Sequence, residues 1–322
     1  MTFIISILVP LDGSSASELA LPLAARLAGQ NGASLLLATV HTPLPDWYST
    51  AGMSGARPLD EPARQREKAY LDTLAAQLRG PLTAPVSTSL VDGDTSEALA
   101  RLIQAAGIDL VVMTTHGRSG LGRLWLGSVT DKLIRSTSTP ILVVRPAKDG
   151  TLATELPRRI LVPVDGSRLA ESILDQVKAL VQPAQGHLIV VMVGHPDEIL
   201  QSPIPSFPGI QIPTLAAREP EARRYLQQLK EKLQAEGFRV ETRFSVAPRV
   251  AKEVLQVAES EGCDLIAMAT HGAGGFDRLM FGSVADRVIR GSRIPVLVLH
   301  PSEEAEEYLV AMGEIEEVLA VS

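Results

Sequence analysis

Short apolar runs alternate along this chain with longer stretches in which apolar residues recur every three or four positions. The first run, residues 3–9, is rich in Ile and ends at Pro10, as is typical of a strand buried on both faces. A helical pattern over residues 15–30 follows. Further strands are predicted at 34–40, 86–91, 109–115 and 141–144, with helices over 71–78, over 96–106 and after Ser128. Strands that alternate with helices indicate a parallel sheet with helices on both faces.

The second half of the chain repeats the first. Val9-Pro10-Leu11-Asp12-Gly13-Ser14 recurs 153 positions later as Val162-Pro163-Val164-Asp165-Gly166-Ser167, and Tyr70-Leu71 recurs 155 positions later as Tyr225-Leu226. Strands are predicted again at 160–164, 188–193, 239–245, 264–269 and 296–299. A repeat of this length indicates a duplicated domain. The sequence therefore predicts an α/β protein with two tandem, open-twisted, five-stranded parallel sheets.

The predicted domains span residues 1–147 and 158–301, and residues 148–157 form the linker. Two proline-containing segments, 42–62 and 195–220, are predicted to be irregular loops. The last segment, 302–322, is acidic, and its apolar residues recur at helical spacing. It is predicted to form a helix that packs on a domain or on a partner.

One stretch in each copy is suited to binding an anion. Thr114-Thr115-His116-Gly117 is followed after nine residues by Gly127-Ser128, and Ala269-Thr270-His271-Gly272 is followed after nine residues by Gly282-Ser283. Each stretch runs from a strand through a glycine-containing loop to the start of a helix, where N–H groups lack helical partners. Asp12 and Val40 also follow or end strands, so they are expected at the same carboxyl edge of the sheet, where such folds bind ligands.

Composition narrows the class of protein. The net charge is −7, which argues against a general nucleic-acid-binding surface, and no apolar run reaches the roughly 18 residues that a membrane helix needs. Cys263 is the only cysteine, which fits a reducing compartment, and the start of the chain does not resemble a signal peptide. We expect a cytoplasmic protein that does not bind membranes.

At these residues the chain resembles the universal stress protein family in its tandem form. The family signature is Gly, two residues, Gly, nine residues, Gly, then Ser or Thr, and the first strand and turn of the family match Val-Pro-x-Asp-Gly-Ser. The resemblance covers both copies and implies a Rossmann-like fold of the adenine-nucleotide alpha-hydrolase type. It also implies that the two domains pair through their last strands as an intrachain pseudo-dimer, with a homodimer as a further assembly.

In family members that bind nucleotide, the aspartate after the first strand and the residue that ends the second strand hold the adenosine, while the glycine loop and Gly-Ser hold the phosphates. The resemblance therefore implies ATP, with or without Mg²⁺, or else ADP or AMP. Carried over to this sequence, the site of domain 1 comprises Pro10, Asp12, Val40, Met113, Gly117, Arg118, Gly127, Ser128 and Val129. The weaker site of domain 2 comprises Pro163, Asp165, Val193, Met268, Gly272, Gly282, Ser283 and Val284.

The chain departs from the signature at its first glycine, which is Thr114 in domain 1 and Ala269 in domain 2. A side chain there could crowd the ribose or the phosphates. The alternative function is therefore a nucleotide-independent interaction protein with degenerate phosphate loops, no cofactor and an unknown protein partner. A slow ATPase or nucleotidyl-transfer enzyme is a third hypothesis, but neither a lysine-bearing phosphate loop nor an acid pair supports it.

Several of these residues have a structural explanation as well. Ser128 with Asp131, and Ser283 with Asp286, have the spacing of capping boxes, and Asp12 or Asp165 could form an Asx-turn before the next glycine. His116 and His271 stand at loop starts without a partnered nucleophile, so no catalytic residue is assigned. The histidines do not cluster with Cys or acids, so no metal site is assigned.

The two copies differ in charge around the loop. The loop of domain 1 carries Arg118 and Arg123, whereas that of domain 2 carries Arg278 beside Asp277. Arginine is a favourable donor to phosphate. Domain 1 is therefore predicted to be the better nucleotide site.

Overall fold

The fold is seen in a computed structural model that describes residues 4–43, 56–114, 126–145, 155–196, 215–270 and 282–301, without the side chains of 56–59 and 215–218. The chain divides into two compact units between Leu156 and Pro157. We call them domain 1 and domain 2.

Domain 1 is a five-stranded parallel sheet with its helices in the connections between strands. Its elements in chain order are β1 (Ser6–Pro10), α1 (Ser15–Glu18), α2 (Leu21–Asn31), β2 (Ser34–His41), α3 (Ala56–Arg79), β3 (Val86–Asp92), α4 (Thr95–Ala106), β4 (Leu110–Thr114), α5 (Ser128–Ser136) and β5 (Ile141–Val144). The strand order is β3-β2-β1-β4-β5, and every neighbouring pair is parallel. The order reverses between β1 and β4, so the carboxyl ends of these strands form a switch point.

Domain 2 repeats this topology. Its elements are β6 (Arg159–Val164), α6 (Arg168–Glu171), α7 (Ile173–Leu180), a 3₁₀ turn (Pro183–Gln185), β7 (His187–Gly194), α8 (Leu215–Ala235), β8 (Arg239–Val246), α9 (Val250–Ser260), β9 (Leu265–Ala269), α10 (Ser283–Gly291) and β10 (Val296–Leu299). The strand order is β8-β7-β6-β9-β10, again with parallel neighbours. Its switch point lies between β6 and β9.

The apolar runs form the centre of each sheet, as the sequence predicted. Ile7, Leu8 and Val9 of β1 have no solvent exposure, and neither do Ile160, Leu161 and Val162 of β6. Such strands are covered on both faces, which explains their continuous rather than alternating hydrophobicity. The predicted fold class, two tandem α/β domains with mostly parallel sheets, is confirmed. Among the described residues, no helix has the length and apolar character needed to cross a membrane.

The predictions were wrong at three places between the strands. The helix expected over 15–30 is two helices, because the chain turns between α1 and α2 and Pro22 lies in the first turn of α2. The predicted irregular loops end early, since α3 begins at Ala56 and α8 begins at Leu215. Pro62 and Pro220 lie inside these helices, where packing of the apolar face outweighs the one hydrogen bond that proline removes.

Two other predictions are not tested. Residues 302–322, with the predicted helix, lie outside the described part of the chain. The pairing of the two domains through their last strands stays a prediction.

Candidate functional site

The described residues of each predicted site lie at the carboxyl edge of the sheet, at the switch point or one strand away from it. Pro10 ends β1, and Val40 and Met113 are the second-to-last residues of β2 and β4. Pro163 and Val193 are likewise the second-to-last residues of β6 and β7, and Met268 is the second-to-last residue of β9. The helices that close the site, α5 and α10, begin with Ser128-Val129 and Ser283-Val284. Gly117, Arg118, Gly272, His116 and His271 lie outside the described residues.

The aspartate after the first strand forms an Asx-turn in both domains. The Asp12 Oδ1 accepts hydrogen bonds from the backbone N–H of Ser14 (3.0 Å) and from its hydroxyl (2.6 Å). The Asp165 Oδ1 accepts the same two bonds from Ser167, at 2.9 and 2.6 Å. Gly13 and Gly166 complete the turns with φ values of 79° and 89°, which only glycine adopts readily. One oxygen of each carboxylate is therefore engaged by the protein itself.

These turns also start the following helix. Ser14 is the N-cap of α1, and its hydroxyl accepts a hydrogen bond of 3.2 Å from the Ser17 N–H. Ser167 caps α6 in the same way, through a bond of 3.1 Å from the Ala170 N–H. These hydrogen bonds, from the aspartate to the serine and from the serine to the helix N-terminus, fix the backbone after β1 and β6. A ligand at the switch point would lie beside this backbone.

The predicted capping boxes are wrong. The N-caps of α5 and α10 are Gly127 and Gly282, and the serines are the first helical residues. Asp131 and Asp286 instead form ion pairs with arginines one turn later in the same helix. Asp131 pairs with Arg135 at 3.1 Å, and Asp286 pairs with Arg290 at 2.8 Å. A glycine N-cap has no side chain to bond the first N–H groups. The first turn of each helix therefore presents backbone donors and an exposed serine at the carboxyl edge.

Gly282 has a structural role that needs no ligand. Its N–H donates to the Thr270 carbonyl oxygen at 3.2 Å, so the helix start lies against the backbone that follows β9. A Cβ on this residue would lie 2.3 Å from the same oxygen. In domain 1, the Thr130 hydroxyl makes the related contact from α5 by donating to the Thr114 carbonyl oxygen at 3.3 Å.

The residues that replace the first signature glycine lie at the ends of strands. Thr114 is half-buried at the end of β4, and Ala269 is buried at the end of β9. Their backbones are held in the sheet, since Thr114 pairs with Val144 and Ala269 pairs with Leu299. Thr114 and Ala269, which stand where the signature has glycine, therefore fit into strand ends whose pairing is intact.

A tyrosine–glutamate pair beside each turn was not among the predicted site residues. The Tyr70 hydroxyl on α3 donates to the Glu18 carboxylate on α1 at 3.0 Å, and Tyr225 on α8 donates to Glu171 on α6 at 2.9 Å. Burial, together with the neighbouring carboxylate, raises the pKa of both phenols, so they stay protonated donors. The recurrence of Tyr-Leu in the repeat was the available signal.

A buried histidine at the end of β2 was likewise not predicted as a functional residue. His41 has 2% solvent exposure, and the two nitrogens of its ring lie next to the carboxylates of Glu67 and Asp60 on α3. Asp60 had been placed in the predicted loop, so its helical contact was hidden. Glu67 could have been found, because it lies one turn before the inward-facing Leu71.

Comparison with known proteins accounts for both domains. The universal stress protein family matches residues 6–145 and 157–300, which is most of the chain. The chain belongs to the universal stress protein family. The universal stress protein of Mycolicibacterium smegmatis is 26% identical over 299 residues, covering 92% of this chain and 97% of the relative. A universal stress protein of Mycobacterium tuberculosis is 28% identical over 200 residues, which are 60% of this chain and 62% of that relative's own length.

Solved structures of the family share the fold. A universal stress protein from Archaeoglobus fulgidus superposes with a TM-score of 0.65 at 19% identity, covering 94% of this chain and 99% of that chain. Another universal stress protein was solved in complex with cAMP, and it matches 46% of this chain and all of its own chain at 19% identity and a TM-score of 0.34. The first of these likenesses shows the tandem α/β architecture.

Proposed function

We propose that this protein is an adenine-nucleotide-binding regulator of the universal stress type, with ATP as the first ligand to test and domain 1 as the better site. Nucleotide binding would change the shape of the protein or its choice of partner during stress adaptation. We further propose that the domains span 1–147 and 158–301 and pair through their last strands.

The observation that carries the proposal is the meeting of three elements at one edge of the sheet. The Asp12 turn follows β1, the half-exposed Val40 lies near the end of the neighbouring β2, and α5 starts at Gly127 without a side-chain cap. All three lie on the carboxyl edge of the domain 1 sheet, at or beside the switch point. A ribose or adenine edge would contact the first two elements. Phosphates would accept hydrogen bonds from the first-turn N–H groups of α5, where the helix dipole favours negative charge.

The alternative function, a nucleotide-independent interaction protein, is favoured by two observations. The Asx-turns of Asp12 and Asp165 use these carboxylates structurally, and Gly282 is required by its contact with the Thr270 backbone. These residues would be retained in a protein that had lost its nucleotide. Domain 2 fits this alternative better than domain 1 does.

Binding can be tested by identifying any nucleotide released from the purified full-length chain, and then by calorimetric titration of ATP, ADP, AMP and cAMP with and without Mg²⁺. Asp12→Asn and Asp165→Asn are matched variants for the two domains. Asparagine keeps the oxygen that accepts from Ser14 or Ser167, so the Asx-turn is preserved while the charge is lost. Ser128→Ala and Ser283→Ala remove one hydroxyl each from the proposed phosphate positions.

We expect the wild-type chain to bind ATP. Asp12→Asn and Ser128→Ala should each weaken this binding by about tenfold, which is the effect of losing one good polar contact. The domain 2 variants would have a smaller effect. If no nucleotide co-purifies and millimolar ATP produces no heat, the proposed function is wrong and the interaction protein becomes the better description. Equal losses in both pairs of variants would contradict the ranking of the domains.

A further inference from the structure

His41 lies between two carboxylates in a buried position. Its Nδ1 is 2.7 Å from the Glu67 Oε2, and its Nε2 is 3.0 Å from the Asp60 Oδ1. The imidazole is only 3% exposed, whereas the two acids are about a quarter exposed. Because Asp60 and Glu67 lie two turns apart on α3, the ring fastens the first half of this helix to the end of β2.

The Nδ1 contact with Glu67 has hydrogen-bond geometry, whereas the Nε2 contact with Asp60 is a close charge pair without it. Both contacts are favourable only when the ring carries two protons. A neutral imidazole has a single N–H, so its other nitrogen would turn a lone pair toward a carboxylate. Burial by itself lowers the pKa of His41, but hydrogen bonds and charge from Glu67 and Asp60 outweigh burial and raise the pKa above its ordinary value. The two close carboxylate contacts therefore favour the protonated ring over the neutral one.

Among the described residues, the neighbouring charged groups on α1, α3 and β3 have partners of their own. Arg64, between the two acids on α3, pairs with Asp92 on β3, which lies beside His41 in the sheet. On the α1 side, Glu18 accepts from Tyr70, and Asp12 accepts from Ser14. Asp60 and Glu67 are consequently the groups that set the charge of His41.

The internal repeat differs at all three positions. At the positions equivalent to His41, Asp60 and Glu67, domain 2 has Gly194, Leu215 and Ala222. Tyr70, three residues after Glu67, is retained as Tyr225 with the same hydrogen bond. Domain 2 therefore has no ionisable residue at any of the three positions, although it keeps the helix and its tyrosine hydrogen bond.

We propose that His41, Asp60 and Glu67 form a proton-operated clamp, present in domain 1 alone, that holds α3 against the carboxyl end of β2. Since the histidine binds its proton more tightly in the folded state than in the unfolded state, the stabilisation is complete below the unfolded pKa of about 6.5 and is lost as pH rises through the folded pKa. Alkaline pH therefore loosens α3 in domain 1 and leaves α8 in domain 2 unchanged.

The clamp also lies beside the proposed nucleotide site. His41 directly follows Val40, and its carbonyl oxygen accepts from the Gly93 N–H at 3.1 Å, which holds the turn after β3. Release of the ring would disturb two strand ends at once. This coupling rests on the proposed function. It predicts that nucleotide affinity in domain 1 falls with rising pH, whereas nucleotide affinity in domain 2 does not.

The clamp can be tested on the wild-type full-length chain without any ligand. Histidine NMR titration would give the pKa of His41, assigned by comparison with His41→Gln. Hydrogen exchange between pH 6 and 9, corrected for intrinsic exchange, would follow the backbone of α3, with α8 as the internal control. We expect a pKa above 6.5 and a fall of about tenfold in the protection of α3 across the titration, with no fall in the protection of α8.

Glu67→Gln and Glu61→Gln form a matched pair of variants on the same helix. Glu61 is exposed and interacts with Gln65 rather than with the histidine. Glu67→Gln should lower the pKa of His41 and weaken the pH dependence of α3 protection, because the Asp60 carboxylate remains beside the ring. Glu61→Gln should leave both unchanged. A His41 pKa at or below 6.5, or α3 protection that is flat with pH in the wild type, would overturn the clamp.

A nucleotide titration at pH 6.5 and 8.5 separates this inference from the proposed function. Nucleotide binding that weakens severalfold at pH 8.5 in the wild type, and less in Glu67→Gln, would support the coupling. Binding that is equal at both pH values in the wild type would overturn the coupling. Absence of binding at either pH would count against the proposed function, while the exchange and NMR measurements would still decide the clamp.

Discussion

The substitution Gly282→Ala tests whether the last signature glycine of domain 2 serves the fold or a ligand. Gly282 is the N-cap of α10 and donates to the Thr270 carbonyl oxygen at 3.2 Å. The added Cβ would lie 2.3 Å from that oxygen, and the obstacle is backbone, which cannot rotate away. The variant must therefore shift the helix start from the end of β9.

The cost follows from two contributions. Relieving a close contact in a packed region costs about 1 to 3 kcal/mol, and a weakened backbone hydrogen bond adds about 0.5 to 1.5 kcal/mol. We expect Gly282→Ala to lower the free energy of unfolding of domain 2 by about 2 to 4 kcal/mol, with no ligand present.

Urea unfolding of the full-length chain would measure this loss. The two tryptophans, Trp47 and Trp125, both belong to the domain 1 half of the sequence, so tryptophan fluorescence carries no signal from a tryptophan in domain 2. Circular dichroism follows both domains. Gly194→Ala is the matched control in domain 2, because a Cβ there meets no atom closer than 3.8 Å, an ordinary contact. Its free energy of unfolding should change by less than about 1 kcal/mol.

A stability loss below about 0.5 kcal/mol in Gly282→Ala would refute the reasoning. If that variant also lost nucleotide binding, the glycine would be explained by close approach of a phosphate. The expected large loss would mean that this variant cannot serve as a binding-site probe in domain 2. The asparagine variants at the Asx-turns are suitable probes for that reason.

Three further outcomes are expected. Tyr225→Phe should destabilise domain 2 by about 1 kcal/mol in urea unfolding, because the half-buried Glu171 carboxylate loses its donor. Cys263 is buried, which raises its pKa to about 12, so a disulfide reagent at pH 8 should react only in urea, and prompt reaction in buffer would contradict the packing. Burial and the charge of Arg159 lower the pKa of His187, so the urea midpoint of domain 2 should fall as pH drops from 7.5 to 5.5, and His187→Gln should lose this dependence.

The strand and turn positions that the sequence predicted correctly are set by local rules. A buried parallel strand needs a continuous apolar run, so 3–9 and 160–164 identified β1 and β6 closely, and the next residues had to lie at the carboxyl edge. The Asx-turn at Asp12 was foreseen as one alternative, since an aspartate before a glycine can form it with its own neighbours.

The errors arose where backbone placement decides between local alternatives. Ser128 and Asp131 have the spacing of a capping box, but α5 begins one residue earlier in register, so Gly127 is the cap and Asp131 reaches Arg135. For α10, the close approach of Gly282 to Thr270 fixes that register, and this contact spans a loop that the pattern alone cannot close.

By itself, the sequence determined the duplication, the α/β class and the edge on which the proposed ligand site lies, because hydrophobic period and short motifs are local properties of the chain. Only the tertiary structure placed His41 between Asp60 and Glu67. The start of α3, in a proline-containing segment, comes next to the end of β2 only when α3 packs on the sheet. The charge state of a buried group depends on those neighbours, and packing alone supplies them.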